Sequence, residues 1–185
     1  MATPTSAELH KQEAPASVSC LIVTVSDTRT PETDKSGQLI RQLLTDQGHT
    51  VSGHHIVPDE YEAIAAMLRE AADDPAAHAI LLNGGTGIAA RDVTIEAVGS
   101  MLDKEMPGFG ELFRYLSFVE DIGSAAMLSR AVAGSIGRKA VFAMPGSTGA
   151  VRLAMTRLIL PELGHVMREL RKDAASAPSP TPPAQ

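Results

Sequence analysis

The sequence predicts an α/β domain with a mainly parallel sheet covered by helices. Short apolar segments rich in β-branched residues alternate with amphipathic segments, and polar or glycine-rich loops separate them. The 185 residues, 44% hydrophobic and 21% charged, suit one globular domain with a core. In such folds ligands bind at the carboxyl ends of the strands. The loops that follow the predicted strands are therefore the first places to look for a site.

The first half of the domain contains two predicted strands and two predicted helices. Ser19–Val25 is a short apolar run and the first strand. Residues 36–49 place their leucines and isoleucine on one helical face, with Gly48 as the expected C-cap. Residues 49–57 are the second strand. Asp59 then fits the N-cap of a second amphipathic helix.

The second half continues the alternation. Residues 79–82 and Lys139–Met144 are apolar and are predicted to be buried strands. A helix is expected over residues 108–118, and a long amphipathic helix over residues 147–170, which Pro161 is expected to kink. The apolar face of the shorter helix is expected to contain Phe109, Leu112, Phe113 and Leu116.

Both ends of the chain are predicted to be disordered. Residues 1–17 show no periodicity, and residues 173–185 are rich in proline, so the single domain is placed at residues 18–172. No apolar run approaches the roughly 20 residues of a membrane span, and the N-terminus lacks an apolar signal segment. We therefore expect a cytoplasmic protein with no membrane partner.

Charge and cysteine content exclude several classes of function. The net charge of −6 indicates no broad basic surface, so nucleic acid is not an expected partner. Cys20 is the only cysteine, which excludes an internal disulfide and a cysteine-rich zinc site, and it is expected to pack as a buried thiol. His54 and His55 are neighbours on a strand and point to opposite faces, so we expect no shared metal.

Glycines cluster in LLNGGTGIAARDVTIEA, residues 81–97, directly after the third predicted strand. Glycine allows backbone N–H groups to approach an anion closely, and Gly84, Gly85 and Gly87 fit this role beside the hydroxyl of Thr86. Thr94 is the expected start of a helix, whose N-terminus favours negative charge. The segment therefore predicts a site for phosphate or another anion, with a plain tight turn as the alternative.

Two common phosphate motifs do not fit this loop. It has no Lys followed by Ser or Thr, as a P-loop requires. Residues 85–90 do satisfy G-x-G-x-x-A. The region about 20 residues further on, however, is MLDKEMPGFG rather than a strand that ends in a ribose-binding acid. We therefore expect no nicotinamide cofactor.

Two aspartates follow predicted strands and could complete a phosphate site. Asp92 lies just past the glycines, and Asp59 lies at another strand end. A carboxylate beside a phosphate is repulsive unless a cation lies between them, so Mg²⁺ held by one or two carboxylates and substrate phosphates is predicted, with Asp92 as its ligand. The alternatives are a helix cap at Asp59 and a surface pairing of Arg91 with Asp92.

Other segments admit both a functional and a structural interpretation. Glu111 and Arg114 have the spacing of a helical ion pair. Arg130, in a stretch of small residues, either binds an anion or has no such role. Residues 144–148, MPGST, form either a phosphate cradle or a Pro-Gly turn before a helix cap. Four of the six aromatic residues fall within residues 109–118, which indicates core packing or a subunit interface.

The motifs VSDT, GHTV, VPDE, GGTGIAARDVTIEA, EMPGFGELFR, SRAVAG and AMPGSTGAV occur in this order. Together they resemble the MoaB/MogA family of molybdopterin adenylyltransferases, over roughly residues 18–170, and the later motifs resemble its MoaB branch. The resemblance implies a three-layer αβα sandwich and Mg²⁺-dependent transfer of an adenylyl group from ATP to molybdopterin, with release of pyrophosphate. It also implies a homo-oligomer, either a trimer or a hexamer built as a dimer of trimers, and other molybdenum-cofactor enzymes as partners.

The same resemblance assigns roles to individual residues. Asp59 and Asp92 match the essential acids of the family, and Gly84–Gly87 would contact phosphate. The further substrate- or nucleotide-binding candidates are Ser26, Asp27, Arg91, Glu111, Arg114, Ser129, Arg130, Pro145, Gly146 and Ser147. Asn83 stands where family members often have Thr or Ser, and its amide can still form hydrogen bonds. The two retained acids favour an enzyme over the alternatives, which are a non-catalytic molybdopterin carrier and a structural or interaction role.

Overall fold

A computed structural model describes residues 14–172 as a six-stranded sheet with helices on both faces. The strands are β1 (Ser19–Val25), β2 (Thr50–Val57), β3 (Ala79–Asn83), β4 (Lys104–Glu105), β5 (Val132–Ile136) and β6 (Lys139–Met144). The α-helices are α1 (Lys35–Asp46), α2 (Tyr61–Asp73), α3 (Thr94–Met101), α4 (Pro107–Glu120), α5 (Thr148–Ala154) and α6 (Leu160–Arg171). Of the chain ends predicted to be disordered, residues 1–13 and 173–185 lie outside the described residues.

The strand order is β2-β1-β3-β6-β5-β4. β1 pairs in parallel with β2 and β3, and β3 pairs in parallel with β6. β5 is antiparallel to both β6 and β4. The four predicted strands are confirmed, whereas no sequence pattern indicated β4 and β5. β4 has two residues, and β5 reads VAGSI, in which small residues replace the β-branched run that identified the other strands.

Successive side chains of the central strands pack into two separate cores on opposite faces of the sheet, because neighbouring residues of a strand point in opposite directions. On one face Cys20 and Ile22 of β1 pack with residues of α1, α4, α5 and α6. On the other face Leu21 and Val23 pack with residues of α2 and α3. The predicted three-layer αβα sandwich is therefore confirmed. Cys20 is buried as expected, and burial raises the pKa of its thiol to about 12.

Two local predictions, both of helix caps, were wrong. Glu60, not Asp59, occupies the N-cap of α2, and no side chain caps that end. Gln47 is the C-cap of α1, and Gly48 is the next residue, with a φ of 79° that favours glycine. On the predicted apolar face of α4, Phe109 and Phe113 are buried, whereas Leu112 is 53% exposed.

The long C-terminal helix contains a π-helical segment rather than one uninterrupted α-helix. α5 leads into Met155–Ile159, which is π-helical, and α6 follows with Pro161 within its first two positions. Proline has no N–H to donate to the preceding turn, and the wider turn lies directly before it. Within residues 14–172 no helix has the length and apolar character needed to cross a membrane.

The order of the strands creates a crevice at one end of the sheet. The chain leaves β1 through α1 on one face and reaches β3 through α2 on the other face. The loops after β1 and β3 therefore diverge where the strand order reverses, which is the usual ligand position in open α/β sheets.

Candidate functional site

A cleft of about 460 Å³ lies at this reversal point. Nine of the predicted site residues line it: Ser26, Gly84, Gly85, Thr86, Gly87, Asp92, Ser129, Pro145 and Gly146. They come from the loops after β1, β3 and β6 and from the segment before β5. Lining residues without a predicted role are Thr24, Val25, Thr28, Arg29, Ser36, Asn83 and Leu128. Residues distant in the sequence thus converge on one cleft.

The glycine loop after β3 has a backbone that other residues would not adopt. Gly84 and Gly85 have φ values of 102° and 60°. A Cβ on Gly84 would lie 2.2 Å from the carbonyl oxygen of Val25. The N–H of Gly84 donates to Met144, but those of Gly85, Thr86 and Gly87 donate to no acceptor within residues 14–172. Three backbone donors therefore remain for a ligand, and the anion site stays a prediction.

Asp92 lies at the far end of this loop and lines the cleft. Its Oδ2 accepts a hydrogen bond from the backbone N–H of Ala89 at 3.0 Å. A Cβ on Gly87 would come within 2.6 Å of the same oxygen. The loop thus folds around the carboxylate and holds it beside the unpaired N–H groups.

Arg91 pairs with Asp27 rather than with Asp92. The Nε of Arg91 lies 2.6 Å from Oδ2 of Asp27, and the hydrogen bond from Arg91 lowers the pKa of the Asp27 carboxyl. Oδ1 of Asp27 accepts from the backbone N–H of Asp59 at 3.1 Å. Asp27 and Arg91 therefore link the loops after β1, β2 and β3 at the edge of the site.

Asp59 is held close to the glycine loop with one oxygen unsatisfied. Its Oδ1 is buried and has no hydrogen-bond partner within the described part of the chain. A Cβ on Gly85 would lie 2.6 Å from that oxygen. Burial raises the pKa of Asp59, and the carboxylates of Asp92 and Asp27 add to this effect against the opposing N–H of Val93. An unpaired carboxylate oxygen of this kind is suited to a cation or a proton donor.

Arg130 lies behind the glycine loop. Its Nε donates to the carbonyl of Thr86 and its Nη2 to the carbonyl of Asp92, each at 3.0 Å. Its Nη1 pairs with Glu96, and this hydrogen bond lowers the pKa of Glu96. The guanidinium thus fixes both ends of the loop, and its predicted anion binding stays a prediction.

Seven of the predicted residues lie outside the cleft lining: Asp27, Asp59, Arg91, Glu111, Arg114, Arg130 and Ser147. Ser147 is the N-cap of α5 and accepts from the N–H of Ala150 at 3.2 Å, so the Pro-Gly turn does end in a helix cap. Glu111 and Arg114 are exposed on α4, and no ion pair joins them in the described structure. Nη1 of Arg114 instead lies beside Gly110, at 3.2 Å from where a Cβ would be.

No group of three or more His, Cys, Asp or Glu side chains within residues 14–172 could hold a metal by itself. A magnesium ion would therefore need phosphate oxygens as additional ligands, which is its usual coordination with nucleotides. His54 bonds to Asp34 at 2.8 Å while His55 is exposed, so the two histidines are separated as expected.

The sequence interpretation missed a buried polar network beneath the cleft. Asp34 is fully buried and is the N-cap of α1. Its side chain contacts Thr24, Ser36 and His54. An aspartate directly before an amphipathic helix is a cap signal. The contacts with Thr24 and His54 join residues 10 and 20 positions away and have no local sequence signal.

Comparisons with known proteins agree on one family. A family model described as "Probable molybdopterin binding domain" matches residues 21–165. The protein named molybdenum cofactor biosynthesis protein B from Halalkalibacterium halodurans is 65% identical over 168 residues, which is 91% of this chain and 99% of that protein.

Solved structures extend this agreement to the fold. A crystal structure of a molybdenum cofactor biosynthesis protein B superposes with a TM-score of 0.84 at 60% identity, covering 86% of this chain and 99% of the other. The tungsten cofactor synthesizing protein MoaB from Pyrococcus furiosus has a TM-score of 0.75 at 36% identity, covering 85% and 99%.

Proposed function

This chain belongs to the molybdopterin-binding domain family of MoaB and MogA proteins, and we propose that it adenylylates molybdopterin in molybdenum cofactor biosynthesis. The donor would be ATP with Mg²⁺, and the second product pyrophosphate. One observation supports this proposal above all. Three unpaired backbone N–H groups of the glycine loop line a cleft together with the carboxylate of Asp92, and Asp59 packs against the same loop at Gly85.

The reaction forms one phosphorus–oxygen bond and breaks another. A phosphate oxygen of molybdopterin attacks the α-phosphorus of ATP. The bond from that phosphorus to the oxygen bridging to the β-phosphate then breaks, and pyrophosphate leaves with the electron pair. The nucleophile is already anionic, so the protein needs no strong general base. Positioning and neutralisation of charge supply the catalysis, as in phosphoryl transfer generally.

The residues of the glycine loop and those packed against it divide these tasks. The N–H groups of Gly85, Thr86 and Gly87 bind phosphate oxygens. Asp92 and Asp59 would hold Mg²⁺, which neutralises charge on the ATP phosphates. The unsatisfied Oδ1 of Asp59 fits this role, because a buried carboxylate oxygen without a donor is a hard ligand available to a cation. Arg130 keeps the loop in place.

The test is an adenylylation assay with purified protein, molybdopterin, ATP and Mg²⁺. Asp92→Asn keeps the side-chain shape and should lower turnover by at least about 100-fold, with an unchanged melting temperature. Asp103→Asn is the matched control, because Asp103 accepts from the N–H of Gly137 in the β5–β6 turn and does not line the cleft. Full activity of Asp92→Asn would refute the role of Asp92. Binding of molybdopterin by the wild type without any product would instead support a carrier.

An exposed apolar face supports self-association. Its residues are Leu112, Tyr115, Phe118 and Val119 of α4 with Ile122, Met127 and Leu128, each between 47% and 80% exposed. We infer that a second copy covers this face in a trimer or hexamer. Sedimentation velocity should show that Phe118→Asp dissociates the oligomer, while Arg138→Asp in the exposed β5–β6 turn does not. A monomeric wild type would overturn this inference.

A further inference from the structure

The floor of the cleft lies over a fully buried carboxylate, Asp34. Oδ2 of Asp34 accepts from the Thr24 hydroxyl at 2.6 Å and lies 2.8 Å from Nε2 of His54. Its Oδ1 accepts from the Ser36 hydroxyl at 3.0 Å and from the N–H of Gly37 at 2.9 Å. Because a carboxylate can only accept, both hydroxyls must donate into it. Thr24 and Ser36 also line the cleft. Because both hydroxyls donate to Asp34, their hydrogen atoms are directed to that carboxylate.

This direction of donation extends to Asn83. Since the Thr24 hydroxyl donates to Asp34, its oxygen is left to accept. Nδ2 of Asn83 donates to it at 3.0 Å, and Nε2 of His54 lies 3.3 Å from it. The same nitrogen lies 3.5 Å from the carbonyl of Val23, which fixes the same amide orientation. Oδ1 of Asn83 therefore points away from Thr24 and Val23. That oxygen is buried and has no partner within residues 14–172.

We propose that the acceptor floor, formed by Thr24, Ser36 and Asn83, binds an uncharged hydrogen-bond donor of the ligand: an amino group, an amide N–H or a hydroxyl. The floor offers the lone pairs of Asn83 Oδ1 and of the Ser36 hydroxyl, whereas the glycine loop offers N–H groups. A phosphate oxygen would be repelled by the floor and held by the loop. The floor and the loop thus orient the ligand by opposite polarity, with Asn83 contacting the donor and Asp34 acting as a positioning residue.

This inference rests on the proposed function, because it takes ATP and molybdopterin as the ligands. Both carry phosphate for the loop and N–H donors for the floor. Adenosine offers a 6-amino group, and the pterin offers an amide N–H and an amino group. The chemistry of the floor is the same for either source, and the experiment distinguishes them.

Asp34→Asn tests the positioning role without removing the helix cap. The N–H of Gly37 requires an acceptor at the Oδ1 position, so the amide oxygen of the introduced asparagine is expected there. The NH₂ group of that side chain then takes the Oδ2 position and faces the Thr24 hydroxyl, which can no longer donate in that direction. Thr24 must reverse its hydrogen bond, and the amide of Asn83 loses its acceptor.

Isothermal titration provides the readout, with ATP, purine riboside triphosphate (which lacks the 6-amino group), molybdopterin and pyrophosphate as probes. Asn83→Leu and Asp34→Asn should each weaken binding of the probe that contacts the floor by about tenfold. Both should leave pyrophosphate binding unchanged, because pyrophosphate needs only the glycine loop. Asp103→Asn is the control, and melting temperatures verify that each variant is folded.

Each outcome decides one point. A loss confined to ATP, with purine riboside triphosphate already weak on the wild type, supports the inference with adenosine on the floor. A loss confined to molybdopterin supports it with the pterin there. An equal loss for pyrophosphate would indicate a merely structural role and overturn the inference, as would unchanged binding of every probe. A wild type that binds neither ATP nor molybdopterin would instead refute the proposed function.

Discussion

Asp34 and Asp59 lie at the same end of the sheet in opposite surroundings. Asp34 is completely buried, and each of its oxygens is hydrogen-bonded. Burial raises its pKa, but the hydrogen bonds from Thr24, Gly37, Ser36 and His54 together outweigh this effect. The pKa of Asp34 therefore lies below its ordinary value. Asp59 is half-buried, its Oδ1 has no donor within the described residues, and its pKa is raised.

The difference separates a carboxylate that stabilises the fold from one that is kept for a ligand. The charge of Asp34 is balanced by protein donors, so ionisation strengthens the folded state. The charge of Asp59 is not balanced, so its ionisation lowers the stability of the folded state. Ionisable groups whose charge the protein leaves unbalanced are typical of functional sites. The comparison predicts that changes at the two aspartates affect different properties.

The largest expected effect is on stability at Asp34. Asp34→Ala removes the cap of α1 and leaves the buried donors of Thr24, Ser36 and Gly37 without an acceptor. We expect the free energy of unfolding to fall by about 3 to 5 kcal/mol. Asp59→Ala should change it by less than about 1 kcal/mol, because only the N–H of Val93 loses a hydrogen bond, and the variant also removes a charge that the protein leaves unbalanced. Urea unfolding at pH 7 measures both. Similar losses for the two variants would contradict the distinction.

Each carboxylate also has a glycine packed against it, which gives a second comparison. A Cβ on Gly37 would lie 2.3 Å from both Oδ2 of Asp34 and Nε2 of His54, inside a closed network. Gly37→Ala should therefore lower the free energy of unfolding by about 2 to 3 kcal/mol. A Cβ on Gly85 would lie 2.4 Å from Oγ1 of Thr94 and 2.6 Å from Oδ1 of Asp59. Gly85→Ala should lower the free energy of unfolding by about 1 to 2 kcal/mol, mainly because alanine must adopt the positive φ of Gly85.

The two glycine variants differ more in ligand binding than in stability. Gly85→Ala displaces Asp59 and the loop backbone, so pyrophosphate binding should fall sharply, whereas Gly37→Ala should affect it less. Gly99→Ala is the control, because a Cβ there meets nothing within 4 Å and the helix should gain about 0.5 to 1 kcal/mol. Thermal unfolding and titration with pyrophosphate give the two readouts. Equal loss of pyrophosphate binding in the first two variants would remove the contrast.

The same contrast explains what the sequence could predict. The glycine loop and Asp92 lie within one segment after an apolar strand, and a local pattern was enough to identify them. The four predicted strands and the helix-covered sheet followed from local patterns in the same way, whereas the three-layer sandwich was implied by the family resemblance. Asp59 was identified as an acid at a strand end, but its assigned cap role was wrong, because Glu60 occupies that position.

What the sequence could not predict depends on contacts between distant positions. Thr24 and Asn83 are 59 residues apart, and Arg130 reaches the carbonyl of Thr86 across 44 residues. The pairing of Arg91 with Asp27 spans 64 residues and replaces the pairing with Asp92 that the sequence had left as an alternative. β5 was missed because small residues form a strand only when neighbouring strands and helices pack against them.

The smallest expected effect is the dependence of stability on pH, and its sign differs at the two aspartates. The pKa of Asp34 is lowered in the folded state, so its contribution is complete above the ordinary value of 3.8 and is lost as the pH falls through the folded pKa. The advantage in stability of the wild type over Asp34→Asn should therefore shrink only below pH 3.8.

The pKa of Asp59 is raised, so its ionised form opposes folding as the pH rises above 3.8. Asp59→Asn should thus gain stability over the wild type as the pH rises from 3.8 toward neutrality. Urea unfolding at a series of pH values would show the two trends, and a common sign for both variants would mean that the surroundings of Asp59 are as well balanced as those of Asp34.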